Sequence, residues 1–200
     1  MEEIKATKMN DGIYEFANLK GVTILLGFVK DIDNYPTKLE IPDNINFIWD
    51  CAFEMNNTIE SVIIPKNVTG LGTGAFYNCT NLKEIKICGT DLTYFGTSCF
   101  EGCTNLQSID LSSCRELSLL DYAFKDCNSL KEIQLPENID CVYNNVFKNC
   151  TALKEIKFPK SIKHIYDNAF DGCTNIKIYV PKEVSDFKFD NNFNIEVIKY

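Results

Sequence analysis

Apolar residues return along this chain at a fixed distance. Pairs separated by one polar position recur as Leu39/Ile41, Val62/Ile64, Ile85/Ile87, Ile109/Leu111, Ile133/Leu135, Ile156/Phe158 and Ile178/Val180. Such alternation predicts a short strand with one face turned inward. Five of these strands run into a proline (Pro42, Pro65, Pro136, Pro159, Pro181), which cannot donate the next ladder hydrogen bond and so ends them. A second apolar pair with a spacing of three follows: Ile45/Ile48, Val68/Leu71, Leu92/Phe95, Ile139/Val142 and Ile162/Ile165. It predicts a second extended or turn-like wall on the other side of the coil.

Each unit closes on a small residue followed by phenylalanine. These are Ala52-Phe53, Ala75-Phe76, Cys99-Phe100, Ala123-Phe124, Val146-Phe147 and Ala169-Phe170, with starts 23, 24, 24, 23 and 23 residues apart. A period in the low twenties, repeated six times, specifies a solenoid in which each coil buries its apolar side against its neighbours. With one strand spacing per coil, seven rungs stack to about 30 Å. The expected fold is a repeat solenoid with a parallel β-sheet on one side and short turns or short helices on the other. Strands near 62–64, 85–87, 109–111, 133–135 and 156–158 are expected in one parallel sheet.

The ends lie outside the repeat. Residues 1–38 hold Ile13-Tyr14-Glu15-Phe16 and Val22-Thr23-Ile24-Leu25-Leu26, joined through a connection containing Lys20-Gly21, and predict an N-terminal β-hairpin cap. Residues 39–181 form the solenoid. Residues 182–200, with Phe187, Phe189, Phe193 and Ile195-Glu196-Val197-Ile198, predict a C-terminal β cap, all within one structural domain. Two coils depart from the pattern. One carries Asn56 where the others have Cys. The other lacks proline (Ser112-Ser113-Cys114-Arg115) and places Glu116 at an apolar position, so Leu117, Leu119 and Leu120 are expected to shift and fill the gap.

Written as A-F-x-x-C-x-x-L-x-x-I-x-L-P-x-x-[IV]-x-x-I, the unit resembles the BspA-type class of leucine-rich repeat over residues 39–181. The tail Ile178-Tyr179-Val180-Pro181 is similar to that family's usual last rung. The resemblance implies a right-handed leucine-rich-repeat solenoid with a parallel sheet and no shared catalytic residues. It also implies kinship with surface or secreted bacterial and protist proteins, several linked to adhesion to host matrix proteins.

Composition narrows the partners. Net charge is −8 with a single arginine, Arg115, so the clustered cations that phosphate backbones require are missing and no nucleic-acid partner is expected. No apolar run approaches the roughly 20 residues of a membrane helix, so no membrane insertion is expected. Met1-Glu2-Glu3-Ile4-Lys5 has neither the basic start nor the apolar run of a signal peptide. The expected location is the cytoplasm if the chain is complete, and the cell surface or exterior if a leader has been removed.

Ten cysteines raise the question of disulfides, but Cys79, Cys103, Cys127, Cys150 and Cys173 share one repeat position. A stacked core favours such a column of small apolar side chains, and an odd number cannot pair completely, so they are expected reduced and buried. Cys141 and the only histidine, His164, fall in one column, and a thiol beside an imidazole is the minimum for nucleophilic catalysis. No third orienting group or oxyanion loop accompanies them, and the pair reads as a coincidence on a variable surface position. Cys99 and Cys103 have metal-ligand spacing, but Cys99 replaces the tight Ala and should point inward. Asn56, Asn67, Asn78 and Asn149 open N-x-[ST] triplets, two of them products of the repeat's own Asn-Cys-Thr. No cofactor or metal is expected, and no enzymatic activity.

What remains is surface. Three residues before each small residue stand Trp49, Gly72, Gly96, Leu120, Tyr143 and Tyr166, and a neighbouring column adds Phe47 and Tyr94. Aromatic residues are enriched at interface hot spots, against the bland alternative that they pack over their neighbours as a hydrophobic flank. Phe47, Trp49, Tyr94, Tyr143 and Tyr166 are therefore the candidate partner-binding residues. The expected function is a non-enzymatic module presenting an extended solenoid face to a protein ligand. The alternative is a cell-surface adhesin-like protein that binds host matrix protein or carbohydrate.

Overall fold

The computed structural model describes residues 6–8, 14–19, 21–28, 35–189 and 195–200. Ile13, Lys20 and Phe193, named above, lie outside the described residues. Strands β1 (Ala6–Lys8), β2 (Tyr14–Leu19) and β3 (Val22–Phe28) come first. β2 and β3 form an antiparallel hairpin from Tyr14↔Phe28 to Leu19↔Val22, and β1 adds antiparallel to β2. The pattern of the sequence points to β2 and β3 but gives no sign of β1.

From Lys38 the chain winds in coils, and each coil contributes two strands. The first strands are β4 (Lys38–Glu40), β6 (Ser61–Ile64), β8 (Glu84–Ile87), β10 (Ser108–Asp110), β12 (Glu132–Gln134), β14 (Glu155–Lys157) and β16 (Lys177–Val180). The second strands are β5 (Phe47–Ile48), β7 (Gly70–Leu71), β9 (Tyr94–Phe95), β11 (Ser118–Leu119), β13 (Cys141–Val142), β15 (His164–Ile165) and β17 (Lys188–Phe189), and β18 (Glu196–Lys199) closes the chain. Coils are numbered 1 to 7 by these pairs. First strands stack as one parallel wall and second strands as another, which β3 begins by pairing parallel with β5. The register places Val62 on Ile85 and Ile109 on Ile133, so one column of inward side chains lies over the next.

The third wall carries the small-Phe unit. No helix occurs among the described residues, so of the expected short turns or short helices the chain forms turns. The reason is backbone conformation. Position −1 to the small residue has positive φ in Cys51 (54°), Gly74 (60°), Ser98 (56°), Tyr122 (63°), Asn145 (58°) and Asn168 (59°). Two residues past the Phe, φ is positive again in Met55, Asn78, Gly102, Asp126, Asn149 and Gly172. A left-handed residue at each end of a five-residue stretch reverses the chain twice and stops any helix from propagating. These turns are joined coil to coil by backbone bonds such as Phe76 N to Cys99 O (2.9 Å) and Phe124 N to Val146 O (2.9 Å).

One expectation needs correction. β4, β6, β8, β10 and β12 form one parallel sheet, but β14 belongs to the next, with β16 and β18. The second wall breaks as well: β11 ends one sheet and β13 begins another. The latter break coincides with a change in corner length, since Leu111 and Leu119 are eight residues apart but Leu135 and Val142 only seven. The sequence shows no matching irregularity between β12 and β14.

The core runs the length of the solenoid. Phe53, Phe76, Phe100, Phe124, Phe147 and Phe170 stack face to face, with centroids 5.2, 5.4, 5.5, 5.8 and 5.3 Å apart. Leu82, Leu106, Leu130 and Leu153 are fully buried beside them. In the proline-free coil Glu116 is exposed while Leu117 and Leu119 are buried, so the expected shift occurs, with Leu120 half-buried. Asn56, standing for Cys, turns its Oδ1 to the backbone N–H groups of Thr58 (2.9 Å) and Ile59 (3.0 Å).

Candidate functional site

The second-strand wall carries the candidate residues on its outer side. The parallel register sets Phe47, Gly70, Tyr94 and Ser118 in one row, and Cys141, His164 and Lys188 in the row's continuation. Each of these rows alternates with buried partners (Ile48, Leu71, Phe95, Leu119, Val142, Ile165), so the period of two turns the first residue of each strand outward.

The five candidates fall into two clusters. Phe47 meets Trp49 edge to face at 6.2 Å. A Cβ on Gly70 would lie 2.5 Å from Phe47 Cε2 and 3.4 Å from Tyr94 Cβ, so the Phe47 ring lies over this glycine. Trp49 is 41% exposed and Tyr94 37%. Two coils on, Tyr143 and Tyr166 stack nearly parallel at 5.5 Å and 4°, and His164 stacks on Tyr166 at 3.9 Å. Tyr143 is 36% exposed, with its hydroxyl ionisation pushed up by burial first and then by Cys141, Tyr166, Asp140 and Asp121. Between the clusters stand Ser118 and the half-buried Leu120, so the aromatic flank is discontinuous.

The spacing left two exposed residues unnoticed. Tyr122, 36% exposed, carries Lys125 Nζ at 5.5 Å from its ring centre, and Met55 is 67% exposed. Both sit in the two left-handed columns, where most coils place Gly, Asn or Ser. A large side chain in a column of turn residues is the signal that would have found them.

Cys141 and His164 are register partners, as the column predicts. The chemistry goes the other way. Burial and the neighbouring Asp140 raise the Cys141 thiol, whereas a nucleophilic cysteine needs its pKa lowered. Among the described residues no group of three His, Cys, Asp or Glu side chains is placed to hold a metal ion. No helix of the described residues is long and apolar enough to cross a membrane. On the first-strand wall the outward row Glu40, Ile63, Lys86, then Asp110 and Gln134, then Lys157 and Tyr179 mixes both charges with apolar groups.

A sequence profile of the BspA-type leucine-rich repeat region, in six copies, matches residues 32–119 and 117–200. The chain belongs to the BspA-type leucine-rich repeat family. Repeats of this family are generally non-catalytic interaction scaffolds. The fold is similar to that of a leucine-rich repeat protein from Bacteroides ovatus ATCC 8483, at 23% identity and TM-score 0.58, over 90% of this chain and 54% of that one. It is similar to one from Eubacterium ventriosum ATCC 27560, at 27% identity and TM-score 0.59, over 84% and 51%. A leucine-rich repeat protein from T. pallidum matches at 20% identity and TM-score 0.50, over 89% and 68%. The chain thus spans about half the length of the first two. No curated protein matches it.

Proposed function

We propose that this BspA-type solenoid is a non-enzymatic protein-interaction module whose second-strand wall carries the binding face. The observation that supports it is the placement of Phe47, Trp49, Tyr94, Tyr143 and Tyr166 on the outer side of one wall, partly exposed, with Phe47 in ring contact with Trp49 and Tyr143 with Tyr166. Tyr and Trp rings supply contact area with few rotors to immobilise, which lowers the entropic cost of association. The first-strand wall, with its alternating charges, offers no comparable anchor. Residues 1–38 and 182–200 serve in this reading as caps on a single domain. Support comes from the β2–β3 hairpin beside coil 1 and from β18 pairing with β16 at the far end.

The test is capture of a protein partner by the folded chain, followed by comparison of two double variants. Tyr143→Ser/Tyr166→Ser is expected to weaken binding more than Lys86→Ser/Lys157→Ser. If the lysine pair loses more while the tyrosine pair binds normally, the first-strand wall is the site. Surface labelling of intact cells decides whether the partner is sought outside the cell, as the adhesin-like alternative requires.

A further inference from the structure

We infer that coil 5 is a flexure in the solenoid, and that it sets the relative position of the two aromatic clusters on the binding face. The use of that face rests on the function proposed above; the flexure itself does not. The ladder breaks lie on either side of this one coil. β12 pairs with β10 of coil 4 but not with β14 of coil 6, while β13 pairs with β15 of coil 6 but not with β11 of coil 4. The step from coil 4 to coil 5 therefore lacks strand pairing on the second-strand side, where Asn138 Nδ2 to Arg115 O (2.7 Å) and Asn144 N to Asp121 Oδ1 (2.9 Å) still cross it, and the step from 5 to 6 lacks it on the first-strand side.

The backbone bonds agree. Gly72 N, Gly96 N and Tyr166 N each donate to the coil before (Ile48 O 2.8, Leu71 O 2.9 and Val142 O 2.9 Å), whereas Leu120 N and Tyr143 N have no such backbone bond, so this line is interrupted over coils 4 and 5. On the first-strand wall Leu111 N bonds Gln134 O (2.8 Å) and Phe158 N bonds Tyr179 O (2.9 Å), while Leu135 N between them bonds neither neighbour. Lys131 N and Lys177 N reach Gln107 O and Lys154 O at 2.9 Å, and Lys154 N has no counterpart bond. A depression of about 510 Å³ bridges β12 and β14, and Ile133 beneath it is 8% exposed, more than any other first-strand core residue of its row. The Phe124–Phe147 step is also the widest of the column at 5.8 Å.

The turn wall crosses both steps intact. Phe124 N to Val146 O and Asp126 N to Lys148 O span the first, and Phe147 N to Ala169 O and Asn149 N to Asp171 O span the second, all within 2.7–2.9 Å. Coil 5 thus tilts about its turn wall, opening toward one sheet at one step and toward the other sheet at the next. Phe47, Trp49 and Tyr94 lie before it and Tyr143 and Tyr166 on and after it, so a partner touching both clusters selects one tilt.

Single-amide hydrogen exchange on the unmodified chain, with no partner present, tests this. Tyr143, Leu135 and Lys154 are expected to exchange at least about tenfold faster than Gly96, Tyr166, Phe158 and Lys177, while Phe124, Asp126, Phe147 and Asn149 stay as slow as Phe76 and Phe100. Equal rates at the open and closed steps overturn the flexure. Fast exchange of the turn-wall amides as well would mean that coil 5 unfolds instead of pivoting, and overturns it too. Because no ligand enters the measurement, failure here leaves the binding face to be judged by the tyrosine and lysine variants.

Discussion

The thiol of Cys127 donates a hydrogen bond to the carbonyl oxygen of Phe100, one coil back, at 3.1 Å. The same bond recurs from Cys79 to Phe53, Cys103 to Phe76, Cys150 to Phe124 and Cys173 to Phe147, at 2.9 to 3.2 Å. The column is more than a stack of small apolar groups, because each thiol also gives a second hydrogen bond to a buried carbonyl that already accepts the backbone N–H three residues on. Only a protonated thiol can do this.

Stability should therefore fall in alkali. Burial raises Cys79 and Cys173 to about 12 and pushes Cys103, Cys127 and Cys150 well above the usual thiol value. A raised folded-state pKa means that the stabilisation is fully present below the unfolded value, near pH 9, and is lost as pH climbs toward 12. Each thiol contributes about 1.4 kcal/mol per pH unit within that window. Urea melts at pH 7 and pH 10 should show a clear drop in midpoint, and equal midpoints would refute the protonated column.

Phe124→Ala should cost about 3–5 kcal/mol, since the ring is fully buried between Phe100 and Phe147. Its neighbour is not inert. Lys125 pairs with Glu101 at 2.7 Å, and the two side chains are only 26% and 13% exposed. Lys125→Ala is expected to cost about 1–2 kcal/mol, more than a surface substitution and less than the loss of the ring. Thermal melts of the two variants give the ordering.

Gly96→Ala should destabilise by about 1–3 kcal/mol. A Cβ there would lie 2.5 Å from Thr73 N and 2.6 Å from Gly72 C, and neither backbone atom can move without disturbing the coil below. A melting temperature unchanged from the parent would contradict this close approach.

Met55→Asn should stabilise by about 0.5 kcal/mol. Met55 holds φ at 56° with 67% of its surface exposed, so it bears the cost of a left-handed residue without compensating burial. Asn78 and Asn149 hold the same position in later coils, and Asn adopts this conformation more readily. A lower midpoint for the variant would show that Met55 contributes packing that outweighs the strain.

The repeat is legible in the sequence because stacked coils repeat their burial. Val62 over Ile85, and Phe100 over Phe124, follow from column counting alone. The direction of a thiol toward Phe100 O does not, since spacing places a side chain without saying which polar atom it meets. Pairing of Tyr143 with Tyr166 is visible as a shared column, whereas the Phe47 ring over Gly70 depends on a side-chain rotamer. The left-handed turns were within reach: Gly74, Gly102, Gly172, Asn145 and Asn168 mark their columns. The broken ladders were only half within reach. The shortened corner after Leu135 accompanies one, and the split between β12 and β14 leaves no trace in residue type.

A tensile load along the solenoid would pass through three parallel lines of backbone bonds wherever both walls are continuous. At the steps on either side of coil 5 only two lines bear it, the turn wall and one sheet. A molecule held by its ends would begin to part there, and a division between coils 4 and 5 would leave each portion its own aromatic cluster and an opened end of the core, Phe124 on one side and Phe147 on the other.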